Sequence, residues 1–176
     1  MVKVNSSKLI FNEEEFCLLL DVIQEESTLH DLEKIAKQKK LLRKKEFHIT
    51  LIGKKTGEAL LEKAMNSSKI ASEIQELVNN LDWKYFLQKE YYFISKKYSE
   101  PNQEKEERQS IIQIVRLPDL VPFYKKLNQM FGTKIKVPFP HLTLFTNSTN
   151  KEKKLRGIGI YSEKEFYDLK PVKFTP

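Results

Sequence analysis

The stretch FHITLI at residues 47–52 has a near-copy in the same chain, PHLTLF at residues 140–145. Both copies place a histidine two residues before a threonine and surround the pair with apolar residues. Because the chain has only three histidines, chance would put two of them in this setting in roughly one sequence in a hundred. The third, His30, has no threonine at that offset, and we interpret it as an ordinary surface or half-buried histidine. The fold and the function are therefore predicted from the repeated motif.

Each motif has the pattern of a β-strand with one polar and one apolar face. Side chains along a strand alternate between its faces, so residues two apart lie on the same side. His48 and Thr50 therefore share a face in the first copy, and His141 and Thr143 share a face in the second. By the same alternation Phe145 is expected on the face of His141. Each strand thus presents an imidazole and a hydroxyl on one surface, backed by apolar residues.

Length and composition indicate a soluble protein with a core of its own. At 176 residues with 40% hydrophobic content, the chain has the size of one domain. Its mean hydropathy is −0.52, and no apolar stretch approaches the roughly 20 residues that a membrane helix needs. The apolar run at 16–20 follows three glutamates, whereas a secretory signal has a basic flank. Cys17 is the only cysteine, which excludes a disulfide framework. We expect a cytoplasmic monomer without membrane association.

The charge of the chain favours an anionic partner without deciding the matter. A net charge of +7 and a pI of about 9.3 suit nucleotides or nucleic acids. The lysine-rich runs at 37–45 and 151–154 would guide such an anion towards the motifs. Solvated lysines on an ordinary surface explain the same charge equally well.

Periodicity and turn signals predict an α+β chain in which each motif strand follows a helix. Residues 99–109 and 147–156 are predicted to be exposed loops. The predicted helices begin after Asn12 and at Thr28 and span 56–79 and 119–131, and the predicted strands are 6–11, 46–52, 83–87, 91–98, 110–117, the second motif, 157–161 and 171–174. This order suggests two α+β half-units, each of which supplies one motif to a shared groove.

Two histidines and two threonines in one groove suit the cleavage of a phosphodiester. An imidazole with a pKa near 6.5 can serve either as the base that deprotonates the attacking oxygen or as the acid that protonates the leaving one. Threonine hydroxyls can hydrogen-bond the non-bridging oxygens, where negative charge is held in the transition state. This chemistry requires no metal or other cofactor. No further His, Asp or Glu beside either motif is an evident ligand, so a zinc site is the weaker interpretation.

The sequences HITL and HLTL resemble the paired H-x-[ST]-Φ signatures of the 2H phosphoesterase superfamily, which includes LigT-like RNA 2',3'-cyclic phosphodiesterases. The resemblance rests on residues 47–53 and 139–146, on their separation of 93 positions, and on the α+β order between them. It implies a single domain over 1–176 with a bilobal, pseudo-twofold α+β fold. In that fold, antiparallel sheets line a central cleft and the helices lie outside.

The same resemblance assigns roles to the motif residues. His48 and His141 are implied as acid and base, and Thr50 and Thr143 as the phosphate-binding hydroxyls. The implied activity is a metal-independent hydrolysis of a nucleotide or oligonucleotide phosphodiester by two-histidine acid–base catalysis. The bond cleaved would be a 2',3'-cyclic phosphate, a 2'-5' linkage or a linkage in a cyclic oligonucleotide signal.

Further contacts to the substrate are predicted outside the four motif residues. Phe145 and Tyr161 are candidates to stack on a base, as aromatic residues do in single-stranded nucleic-acid sites, and Lys136 is a candidate phosphate contact. Two alternatives remain open at this point: a groove that binds RNA or a nucleotide without turnover, and a 2'-5' end-joining activity that uses the same residues. The sequence also leaves open which histidine is the base.

Overall fold

The computed structural model describes residues 9–12, 16–63, 67–99 and 105–175. Over these residues the chain has five α-helices and one eight-stranded antiparallel sheet, which confirms the predicted α+β class. The strands are β1 (Leu9–Asn12), β2 (Cys17–Asp21), β3 (Leu42–Arg43), β4 (His48–Ile52), β5 (Phe86–Tyr98), β6 (Glu106–Arg116), β7 (His141–Ser148) and β8 (Val172–Phe174). The helices are α1 (Glu26–Gln38), α2 (Lys54–Lys63), α3 (Ser67–Asn79), α4 (Leu120–Phe131) and α5 (Glu163–Asp168), with a short 3-10 helix at Lys151–Lys153.

The two motif strands are neighbours at the centre of the sheet. The strand order is β1-β2-β4-β7-β6-β5-β8, and the short β3 also pairs with β7. Strands β4 and β7 are antiparallel, with Ile49 opposite Leu142. We expected separate sheets on the two sides of a cleft; instead, this pairing joins both halves of the chain into one continuous sheet.

The main hydrophobic core lies between one face of this sheet and helices α1 to α4. Each of these helices contributes an apolar stripe, such as the buried Phe123 and Leu127 of α4. Ile49, Leu51 and Leu142, which alternate with the polar motif residues, are fully buried in this core. The polar face of both motifs therefore points away from the helices.

A smaller second core lies on the opposite face of the sheet. Ile94 of β5 and Ile112 of β6 pack there against Ile158, Ile160 and Phe166. The chain between β7 and β8 therefore crosses the same face of the sheet as the motif histidines.

The prediction of a first helix after Asn12 is wrong. Its apolar residues 16–20 instead form β2, which pairs with β1 on one side and β4 on the other. In β2 the alternate residues Leu18 and Leu20 are buried, while Ile23, which the helix would have buried, is 73% exposed. An apolar run of this length fits both periodicities, and pairing with two neighbouring strands decides it. Residues 13–15, which would have formed the first turn, lie outside the described residues.

Other boundaries also differ from the prediction. The long helix 56–79 is two helices, α2 and α3, and the two strands predicted in 83–98 are the single strand β5, irregular in register after Leu87. Strand β6 begins at Glu106, within the predicted loop 99–109, of which residues 100–104 lie outside the described residues. Residues 157–161 form no strand, and helix α5 was not predicted.

Strand β4 is tied to helix α4 by a buried hydrogen bond. The Tyr124 hydroxyl donates to the Leu51 carbonyl oxygen at 2.7 Å, and the tyrosine is fully buried. Strand β4 pairs with β7 at only one residue pair, Ile49 with Leu142. The Leu51 carbonyl lies beyond that pair, and the Tyr124 hydroxyl supplies its hydrogen-bond donor.

Replacing Tyr124 with phenylalanine should therefore lower the free energy of unfolding by about 1–3 kcal/mol, because the buried Leu51 carbonyl loses its donor. Chemical denaturation measures the change. Tyr167→Phe, at a residue that is 63% exposed, is the matched control and should leave the midpoint unchanged. Equal midpoints for both variants would show that this bond does not hold β4 to α4.

Candidate active site

The pairing of β4 and β7 brings the four predicted motif residues together. With Ile49 opposite Leu142, the antiparallel register sets His48 opposite Thr143 and Thr50 opposite His141. All four are half-buried, whereas the apolar residues between them are fully buried. The two motifs thus form one compact polar patch with a histidine at each of two diagonal corners.

This patch forms part of the floor of a cleft of about 700 Å³. All four motif residues line the cleft. Its volume lies within the range of about 300–1,000 Å³ that is usual for small-molecule sites.

His141 is held between two backbone carbonyl groups. Its Nδ1 lies 2.8 Å from the Phe139 carbonyl oxygen, and its Nε2 lies 3.2 Å from that of Ile158. A carbonyl oxygen only accepts hydrogen bonds, and a neutral imidazole carries a single N–H, so only the protonated ring satisfies both contacts. Burial lowers the pKa of His141, and the two carbonyls oppose this by favouring the protonated form.

His48 lies in a different electrostatic environment. Burial lowers its pKa, and the positive charge of Lys44 lowers it further, while Glu46 and Asp21 act in the opposite direction. Lys44 is itself half-buried, and its Nζ donates to the Leu155 carbonyl oxygen at 3.0 Å. Burial and the neighbouring cation therefore both favour the neutral form of His48.

Glycine allows the backbone to approach the hydroxyl of Thr143. A Cβ at Gly157 would lie 3.0 Å from Thr143 Oγ1, which is tighter than ordinary contacts. At the first motif, Gly53 is next to Thr50 in the same way but less tightly, with 3.5 Å from its would-be Cβ to the threonine methyl. The bare backbone at 157 thus sets the depth of the cleft beside the second threonine.

Of the three predicted substrate contacts, only Tyr161 lines the cleft. Phe145 is 2% exposed and belongs to the main core, so the expectation that it shares the His141 face is wrong. The reason is a bulge: Ile111 pairs with Phe145 and Ile112 with Thr143, which leaves Leu144 as an extra residue that reverses the alternation. Lys136 is exposed and lies outside the cleft lining.

The cleft wall contains a buried ion pair that the sequence pattern does not predict. The Glu106 carboxylate accepts two hydrogen bonds from the Arg108 guanidinium, at 2.6 and 2.8 Å, and one from the Ser148 hydroxyl, at 2.6 Å. The Arg108 guanidinium lies 4.2 Å from the centroid of the Tyr98 ring and donates to the Gly157 carbonyl oxygen at 3.3 Å. The charges of Glu106 and Arg108 favour an exposed loop, although a Glu and an Arg two apart would share one face of a strand.

The described residues contain no group of three or more His, Cys, Asp or Glu side chains placed to hold a metal ion. None of the described helices has the length and apolar character that crossing a membrane requires.

Comparison with known proteins yields no match: no family model, no curated protein and no solved structure is significantly similar to this chain.

The Glu106–Arg108 pair makes stability depend on pH. The Arg108 guanidinium lowers the pKa of Glu106 from 4.5 to about 2. The unfolded chain therefore binds a proton at higher pH than the folded one, so this stabilisation is complete above pH 4.5 and is lost as the pH falls towards 2.

We expect the free energy of unfolding of the wild type to fall between pH 5 and 2 by up to about 3 kcal/mol more than that of Glu106→Gln. Urea denaturation at several pH values measures both slopes. Glu163→Gln, an exposed residue of α5, should keep the slope of the wild type. Parallel slopes for Glu106→Gln and the wild type would mean that the pair contributes no pH-dependent stability.

Proposed function

We propose that this protein is a 2H-type phosphodiesterase that cleaves a nucleotide or oligonucleotide phosphodiester without a metal ion. The observation that carries the proposal is the β4–β7 pairing, which places two histidines and two threonines on one face within a single cleft. An antiparallel pair centred on Ile49 and Leu142 relates the two motifs by a local twofold, as a pseudo-twofold 2H fold requires. The basic lining of the cleft supports an anionic substrate.

The arrangement suits an in-line displacement at phosphorus. One histidine removes a proton from the attacking oxygen, a P–O bond forms on that side, and the opposite P–O bond breaks. The other histidine gives its proton to the departing ribose oxygen. With a 2',3'-cyclic phosphate the attacking oxygen belongs to water; with a 2'-5' linkage it is the neighbouring 3'-hydroxyl, and the product is a cyclic phosphate. Thr50 and Thr143 donate to the non-bridging oxygens throughout.

The surroundings of the two histidines support different roles for them. Burial and the Lys44 cation both lower the pKa of His48 and so favour the neutral imidazole, which is the form that accepts a proton, so we assign it as the base. His141 has a carbonyl acceptor at each ring nitrogen, and a phosphodiester anion entering the cleft offsets the cost of charging a buried ring. We therefore assign His141 as the acid.

The first experiment is a product assay by mass spectrometry in the presence of EDTA. The panel contains 2',3'-cyclic nucleotides, 2'-5' and 3'-5' dinucleotides, and cyclic di- and trinucleotides. We expect one class to be cleaved, and His48→Ala and His141→Ala each to lower kcat by about a hundredfold or more. His30→Ala, at an exposed residue of α1, is the control and should retain full activity. Loss of all activity in EDTA, or full activity in either motif variant, would refute the proposal.

The assignment of acid and base has its own test. In a substrate analogue, 4-nitrophenol replaces the leaving nucleoside; its anion departs without a proton. His141→Ala should then lose about tenfold or less on the nitrophenyl ester while losing about a hundredfold or more on the natural leaving group. His48→Ala should lose about as much on both substrates, because the attacking oxygen still needs a base. The reverse pattern would exchange the two roles.

A further inference from the structure

Five cationic side chains that line the cleft form no ion pair with a described residue. They are Lys44, Lys54, Lys55, Lys153 and Arg156. The sixth cation of the lining, Arg108, is neutralised by Glu106. Against these five charges the lining offers one other carboxylate, Glu58. The cleft lining therefore carries an excess of positive charge, which a bound anion would balance.

The five cations form two clusters, one at each end of the motif pair. Lys54 and Lys55 open α2 directly after β4 and form the α2-side cluster. The β3-side cluster consists of Lys44, Lys153 and Arg156, whose backbones lie at the opposite end, beside Leu144 and Thr146. The charge of Arg156 acts from there on Tyr161. The Lys44 amide donates to the Leu144 carbonyl oxygen at 2.9 Å, and its Nζ bonds the 153–156 segment through Leu155.

The backbones that carry the two clusters lie at opposite ends of the motif pair. Along the strands, Gly53 is four residues from Ile49 and Leu144 is two residues from Leu142, in opposite directions from the central pair. At about 3.3 Å per residue, this places the backbones of the two clusters roughly 20 Å apart with the histidines between them.

A single phosphodiester bound by the histidines and threonines carries one negative charge, so it balances at most one of the five cations, such as Lys44 beside His48. Lys44 is half-buried, and burial lowers its pKa by more than the charge of Glu46 raises it. A cation removed from water without a counter-charge is unfavourable, and an anion bound beside it offsets that cost.

We infer that the substrate is an oligonucleotide in which the scissile phosphate has a further phosphate on each side, one bound by the α2-side cluster and the other by the β3-side cluster. This inference rests on the proposed phosphodiesterase function and narrows its substrate. It disfavours a mononucleoside 2',3'-cyclic phosphate, which has no flanking phosphate. Both a linear oligonucleotide cleaved at an internal linkage and a cyclic oligonucleotide have the required chemistry.

The test compares kcat/KM for a graded series at fixed ionic strength. The series contains a dinucleotide with the scissile phosphate alone, the same dinucleotide with one added phosphate on the 5' side or on the 3' side, a linear tetranucleotide, and a cyclic trinucleotide. We expect each flanking phosphate to raise kcat/KM by about tenfold, as hydrogen bonds to charged groups do. Preference for the cyclic or the linear member identifies the source, and either preference supports the inference.

Variants then assign each gain to a cluster. The double variant Lys54→Gln, Lys55→Gln should remove the rise in kcat/KM that the phosphate on one side produces. The double variant Lys153→Gln, Arg156→Gln should remove the rise that the phosphate on the other side produces. Lys63→Gln in α2 and Lys154→Gln are matched controls: both residues are exposed and outside the cleft lining, so both gains should persist.

Equal kcat/KM across the series would overturn the inference while leaving a phosphodiesterase in place. Variants whose kcat/KM falls by the same factor for every substrate would overturn it as well. Absence of turnover throughout would instead refute the proposed function. In that case dissociation constants for the same series, measured by calorimetry, still decide whether the clusters bind flanking phosphates: stepwise tightening supports them, and equal affinities overturn them.

Discussion

The site depends on the register in which β4 pairs with β7. Only one residue pair, Ile49 with Leu142, joins these strands, yet it fixes which side every motif residue occupies. A slip of one residue would move a whole strand's polar set into the core, because the side-chain period is two. Both residues of the pair are fully buried against the helices, so the packing of the core enforces the register. Stability and the placement of the polar groups therefore have the same origin.

The segment GIGIY at 157–161 lines the cleft along its whole length without forming a strand. Ile158 and Ile160 also pack in the second core. The isoleucines anchor the segment against the sheet, and the missing side chains at the glycines let its backbone approach Thr143 and His141. The Arg108 bond to the Gly157 carbonyl holds the segment at its start. This segment thus supplies, through the Ile158 carbonyl, one of the two backbone acceptors of His141.

The sequence predicted the polar patch because strand alternation alone determines it once two strands pair. Helix α4 was also predictable, since its apolar period is regular and Gly132 ends it with a positive φ of 60°. The burial of Phe145 was not predictable, because a bulge reverses the alternation of side chains. Whether a bulge forms depends on the partner strand, which no local pattern reveals. The Glu106–Arg108 pair was not predictable for a related reason. A run of charged residues is typical of an exposed loop, and only the pairing of β6 with its neighbouring strands shows that these two are buried.

The two kinds of charge in the cleft wall differ in how their solvation is replaced. Arg108 exchanges water for a carboxylate, a carbonyl and an aromatic face, so its charge is already satisfied by the fold. Lys44 exchanges part of its water for one carbonyl and the charge of Glu46, and burial still lowers its pKa. The first arrangement stabilises the wall and offers little to a ligand, because breaking a buried pair is costly. The second arrangement costs free energy that an anion bound beside Lys44 would offset, which agrees with the proposed anionic substrate.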